Sequence, residues 1–154
     1  MLLWIDPAIN ADLLYVLRAM GHGDELVICD TNFPADSIAR QTVHGRLLRM
    51  ENVTVARAVR AVLSLMPLDG FVDHPVERME VVGKPADLPP VQQEVQAEID
   101  EAARRDAGRD NWPMGSIERF AFYERAKKAY AVLVTGERRF YGCFILKKGV
   151  IPPE

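Results

Sequence analysis

Along this chain, stretches with apolar residues at helical spacing alternate with short, continuous apolar runs, and that alternation most constrains its fold. A short unbroken apolar run between turn residues reads as a strand covered on both faces. Helical segments between such strands are the crossovers that a parallel sheet requires. The expectation is an α/β fold with three layers, a mainly parallel sheet flanked by helices, in one domain over residues 1–154. The last two strands, one short turn apart, are expected to add a C-terminal hairpin.

Asn10 is the expected N-cap of a first helix, with Leu13, Leu14, Leu17 and Met20 in register and Gly21 or Gly23 at its end. The strand Leu26–Cys29 follows, then a loop at Thr31-Asn32-Phe33-Pro34. Weak alternation over Thr42–Met50 reads as a strand. Asn52 or Thr54 caps a second helix with the stripe Val55, Val59, Val62, Leu63 and Met66, ended by Pro67. Met79–Val82 reads as a strand, and Pro85, Pro89 and Pro90 mark a loop. A third helix is expected from about Val91 to Arg105 on Val91, Val95 and Ile99, followed by a turn-rich break, Asp106–Gly115. Ser116 is the expected N-cap of a fourth helix, Ile117–Lys128. Tyr130–Val134 and Tyr141–Leu146 are the final strands, joined through Thr135-Gly136-Glu137. Phe120, Phe122, Phe140 and Phe144 are expected in the core.

The net charge of −3 over 154 residues gives no basic face for nucleic acid. No apolar stretch is long enough to cross a bilayer, so no membrane partner is expected. The start, Met1-Leu2-Leu3-Trp4-Ile5-Asp6-Pro7, lacks a basic segment and a long apolar run, so it does not read as a signal peptide. Cys29 and Cys143 lie in apolar stretches and outside any Cys-x-x-Cys pair, and read as reduced thiols in a cytoplasmic protein.

The chemistry-bearing candidates begin with Gly21-His22-Gly23. Flanking glycines allow turns that other residues resist, and they let His22 project into open space. Histidine is the natural acid/base near neutral pH, although a loop histidine is as often an ordinary polar surface residue. Asp30 closes the strand Leu26–Cys29, and ligands bind at that end in open α/β sheets. Its bland alternative is a turn former, as it is for Asp24. His22 and Asp30 are together expected where small-molecule chemistry is found. Arg119 and Tyr123, four apart, share a helix face. Asp24, Asp30, His22, His44 and His74 are nominal metal ligands in no recognised spacing, so no metal is expected. No G-x-x-x-x-G-K loop or G-x-S-x-G elbow occurs.

Two blocks then carry a resemblance. One is Gly21-His22-Gly23-Asp24-Glu25-Leu26-Val27-Ile28-Cys29-Asp30-Thr31-Asn32-Phe33-Pro34. The other is Arg119-Phe120-Ala121-Phe122-Tyr123-Glu124-Arg125-Ala126-Lys127-Lys128-Ala129, with Val134-Thr135-Gly136-Glu137, Tyr141-Gly142-Cys143 and Leu146-Lys147-Lys148-Gly149-Val150 behind it. Ile5-Asp6-Pro7 and Pro67-Leu68-Asp69-Gly70-Phe71 also fit. The chain resembles the L-fucose mutarotase and D-ribose pyranase family, and the fucose branch in particular, because the ribose branch typically carries histidine at the position of Arg119. The resemblance implies a cofactor-free isomerase that opens and recloses sugar rings. It implies a ring-like homo-oligomer, often a decamer, with sites at subunit interfaces. His22 would be the proton donor, and Asp30, Arg119, Tyr141, Gly142 and Cys143 would bind the sugar, L-fucose or a similar monosaccharide. The family usually has asparagine where this chain has Cys143. A thiol donates and accepts only weakly, so sugar specificity or affinity is expected to differ there. Two alternatives remain: a pyranase acting on ribose-like sugars, and a sugar-binding or regulatory module without turnover.

Overall fold

The computed structural model describes residues 2–153. Its elements are α1 (Ala11–Ala19), β1 (Glu25–Cys29), α2 (Ala35–Ala39), β2 (Leu47–Met50), α3 (Val55–Leu63), β3 (Val76–Met79), α4 (Pro90–Ala102), β4 (Gly115–Ile117), α5 (Arg119–Ala126), β5 (Ala131–Thr135) and β6 (Phe144–Lys147). A π-helical turn, Ala103–Ala107, continues α4. The strands form one sheet in the order β2-β5-β1-β6-β3-β4. The pairs β2–β5, β5–β1 and β3–β4 are parallel, and β6 runs antiparallel to both of its neighbours.

The period of two in β1 builds the three layers. Leu26 and Ile28 face one core with Leu13, Val16 and Leu17 of α1, Val59 and Val62 of α3, and Val95 and Ile99 of α4. Val27 and Cys29 face the other, with Ile38 of α2 and Phe122 and Ala126 of α5. All four of these residues, Leu26 to Cys29, are fully buried, which is why the run is apolar on both faces. At about 25 cal/mol per Å² of apolar area, burying each such side chain contributes roughly 1.5–3 kcal/mol.

Local signals place several helix ends. Asn10 Oδ1 accepts from Leu13 N at 3.0 Å, and Thr54 Oγ1, rather than Asn52, accepts from Arg57 N at 3.3 Å. Each satisfies a helical N–H that would otherwise be unpaired. Met20 caps α1, and Gly23 at φ +83° supplies the turn beyond it.

Long-range pairing corrects other expectations. No C-terminal hairpin forms: β6 inserts between β1 and β3, and β5 lies on the far side of β1. The Thr42–Met50 strand shortens to Leu47–Met50, and the Tyr141–Leu146 strand starts only at Phe144. The Met79–Val82 strand is instead Val76–Met79. Of its charged residues, Glu77 pairs with Arg125, while Arg78 is satisfied only in part, its Nη2 donating to Pro85 O at 2.8 Å and its buried Nη1 having no partner among the described residues. Ser116 lies in β4, and α5 is capped by Glu118, whose carboxylate accepts from Phe120 N and Ala121 N. Phe122 and Phe144 are core, but Phe120 and Phe140 are 68% and 73% exposed.

Candidate functional site

The sheet topology gathers one set of side chains at the carboxyl edge of the parallel strands. Asp30 follows β1, Met79 ends β3, and Arg119 opens α5 just beyond β4. Because β6 runs the other way, the segment leading into it, residues 137–143, arrives at this same edge. Asp30, Asn32, Phe33, Met79, Arg119, Tyr123, Phe140, Tyr141 and Cys143 line a cavity of about 350 Å³. That is the size class of small-molecule sites.

Asp30 organises the cavity floor. It is 3% exposed. Its Oδ1 accepts from the backbone N–H groups of Asn32 (2.9 Å) and Phe33 (3.1 Å). Its Oδ2 accepts from Gly142 N at 3.1 Å and from the Cys143 thiol at 3.5 Å. The thiol is the weak member of this set, so it leaves Oδ2 the best placed of the two oxygens to accept from a ligand hydroxyl. Burial, and the neighbouring Asp30 charge, push the Cys143 thiol well above its usual range, so it stays neutral. On the opposite wall Arg119 Nε donates to Tyr123 Oη at 3.0 Å, as their four-residue spacing allows. The rest of the guanidinium fork stays available to hydroxyls. Tyr141 takes φ +64°, a left-handed conformation that costs free energy in a bulky residue. Apolar Phe33, Met79 and Phe140 complete walls suited to the carbon face of a ring.

His22 is not in this cavity, which corrects the expectation that it shares an edge with Asp30. It precedes β1 and Asp30 follows it, so about 17 Å of strand separates them at roughly 3.3 Å per residue. Asp30 therefore does not orient His22 within one chain. Asp69 does: its Oδ1 lies 3.2 Å from His22 Nε2. Asp69 is 4% exposed in its side chain and His22 is 46% exposed. Asp69 Oδ1 also accepts from Phe71 N at 3.0 Å, and the Phe71 ring meets the imidazole edge-on at 5.5 Å between centroids. A carboxylate only accepts, so Nε2 donates to it and Nδ1 is left without this partner. The turn is held locally by Gly21 N donating to Asp24 Oδ2 at 2.7 Å. It is held to the sheet by Gly23 N donating to Lys148 O at 2.8 Å.

Sequence reasoning missed Asp69 as a functional residue. It lies 47 residues from His22, and nothing in its spacing points to histidine. Among the described residues no cluster of histidine, cysteine and carboxylate side chains could hold a metal ion.

An open α/β sheet with a polar and aromatic cavity at its carboxyl edge, and a His–Asp pair at the other edge, defines a small-ligand α/β protein equipped for proton transfer. The chain belongs to the RbsD / FucU transport protein family, whose model matches residues 4–151. It is 44% identical to the fucose mutarotase of Danio rerio, over 97% of this chain and 94% of that one. The crystal structure of protein Atu2016 superposes with a TM-score of 0.93 at 62% identity, over 99% of this chain and 97% of that one. The fucose mutarotase of Streptococcus pneumoniae in complex with L-fucose superposes with a TM-score of 0.84 at 38% identity, over 98% and 100% of the two chains.

Proposed function

We propose that this protein is a sugar mutarotase that interconverts the α and β anomers of L-fucose or a related monosaccharide, in a site completed by a second copy of the chain. The observation that carries the activity is its whole-length likeness to fucose mutarotases. The cavity chemistry agrees with it. Arg119 and Tyr123 offer donors, Asp30 an acceptor, and Phe33, Met79 and Phe140 an apolar surface for a ring.

Mutarotation breaks the bond between the anomeric carbon and the ring oxygen. The anomeric hydroxyl loses a proton, the ring oxygen gains one, and an open-chain aldehyde forms. Rotation presents the other face of the carbonyl, and the reverse transfers close the ring. A placed acid/base pair typically contributes about 10²–10⁴-fold to such a step. His22 supplies the ring-oxygen proton through Nδ1, with Asp69 fixing the orientation of the ring. Asp30, Arg119, Tyr141, Gly142 and Cys143 hold the sugar.

His22 reaches the sugar from another subunit. A histidine at the far edge of its own sheet cannot act in its own cavity, yet it is half-exposed beside Phe71, which is 77% exposed. Phe140, which lines the cavity, and Phe120, beside the Arg119 guanidinium, are exposed. Apolar rims of this kind mark contact surfaces. The assembly is a cytoplasmic ring-like homo-oligomer, a decamer on the family pattern. No helix in the described residues is long and apolar enough to cross a membrane.

The test is exchange NMR on L-fucose, with D-ribose as the comparison sugar. Faster α/β exchange of L-fucose is expected. Folded, oligomeric protein that leaves the L-fucose exchange rate unchanged would overturn the reading.

A further inference from the structure

Gln92, in the first turn of α4, is fully buried yet lies outside the cavity lining. A buried amide is costly unless its groups are hydrogen-bonded. Gln92 Nε2 donates to Met79 O at 2.8 Å and to Tyr141 O at 3.0 Å, while its Oε1 has no partner among the described residues. The side chain thus leaves its own acceptor unpaired and spends both donors on carbonyls of two cavity-lining residues. Those residues come from different elements, the end of β3 and the loop into β6.

Tyr141 needs such a restraint. It is one of two non-glycine residues with positive φ among those described, at +64°. The next residue, Gly142, places its N–H on Asp30, and Cys143 follows with its thiol on the same carboxylate. Relaxation of Tyr141 to ordinary φ would swing its ring and lift Gly142 and Cys143 from Asp30 together. The same helix holds the other end of the loop, because Glu94 binds Arg139 through two hydrogen bonds of 2.7 and 2.8 Å.

We propose that Gln92 is a positioning residue for sugar recognition: its amide cross-links Met79 and Tyr141 and holds the Tyr141-Gly142-Cys143 segment in its sugar-binding shape. The proposal rests on the mutarotase reading for its substrate. Gln92→Met keeps the length and apolar bulk but removes both donors. Misplacement of binding groups by about 1 Å can cost on the order of 10²-fold in rate. The expected result is a rise of tenfold or more in KM for L-fucose anomer exchange, a smaller change in kcat, and a variant that still folds cooperatively with unchanged oligomer size. A folded variant with KM within twofold of the wild type overturns the proposal.

Calorimetric titration with L-fucose separates the two claims. Wild-type protein that binds L-fucose without accelerating its exchange defeats the mutarotase reading, and the titration still tests Gln92. A tenfold weaker Kd in Gln92→Met supports the proposal, and an equal Kd overturns it. If Gln92→Met fails to fold, the ¹⁵N resonance of the Gln92 side-chain amide in the wild type decides. A shift on saturation with L-fucose is expected, and an unmoved resonance overturns the proposal.

Discussion

Acid should release the segment that carries Tyr141, and Glu137 sets where. Its carboxylate is 4% exposed. Oε1 accepts from Arg138 N, Arg139 N and Arg139 Nε, and Oε2 from Arg139 Nη2 at 2.8 Å. The Arg139 guanidinium beside it holds the carboxyl at about 2, against an ordinary 4.5. A group whose pKa is depressed on folding contributes stability that is present above its unfolded value and is lost as pH falls through its folded one. The window here runs from about 4.5 down to about 2. At roughly 1.36 kcal/mol per pKa unit, the shift sets an upper bound of about 3.4 kcal/mol. The Arg139 side chain is 43% exposed, so solvent screening lowers the expected contribution to about 2 kcal/mol.

The perturbation is Glu137→Gln, which keeps the shape and removes the charge. Urea unfolding of both proteins, at fixed protomer concentration, gives the stability gap at each pH. The variant should be less stable by about 2 kcal/mol near pH 7, and the gap should fall by more than half by about pH 3. An equal gap at both pH values would refute the assignment of the acid-sensitive contribution to this carboxylate.

Other perturbations separate chemistry from scaffold. Asp69→Asn should leave His22 in place but loosen the orientation of its ring, lowering kcat for L-fucose exchange by about 10–100-fold while KM stays near wild type; an unchanged kcat would refute the His22–Asp69 pairing. Gly136→Ala would set a Cβ 2.2 Å from Glu51 O, a backbone atom with little room to yield, and should cost about 1–3 kcal/mol in urea unfolding. Burial pushes both Cys29 and Cys143 thiols well above their usual range, so neither should react with iodoacetamide in the native protein near neutral pH, and both should react once it is unfolded; rapid native labelling seen by mass spectrometry would contradict this.

What the sequence made legible was local. Leu26–Cys29 is apolar because both faces of β1 are covered, and Asp30 sits where that run stops. The Asn10 cap and the stripe of α3 are likewise written within one turn or two of helix. Features that depend on distant partners were not legible. The strand β3 hides behind Glu77 and Arg78, which become acceptable there only through Arg125 and Pro85. The insertion of β6 between β1 and β3 is a choice of edge that no local pattern states. At the site, Asp30, Arg119, Tyr141, Gly142 and Cys143 do come together, since each ends or opens an element at one edge. His22 lies close to Asp30 in sequence but not in space, because β1 runs between them and holds them at opposite edges. Asp69 lies in a segment that fits the family, but no spacing ties it to His22, and Gln92 has no sequence signal, because each acts through a contact made only after the sheet closes.

The central claim is that one subunit's His22 serves another subunit's cavity. Co-expression of differently tagged His22→Ala and Arg119→Ala chains, with mixed oligomers isolated through both tags, tests it by L-fucose anomer exchange. Each variant alone should be nearly inactive. In mixed oligomers, random assembly pairs an intact His22 with an intact cavity in about a quarter of the sites, so about a quarter of wild-type activity should return. Mixed oligomers as inactive as either parent would contradict the shared site.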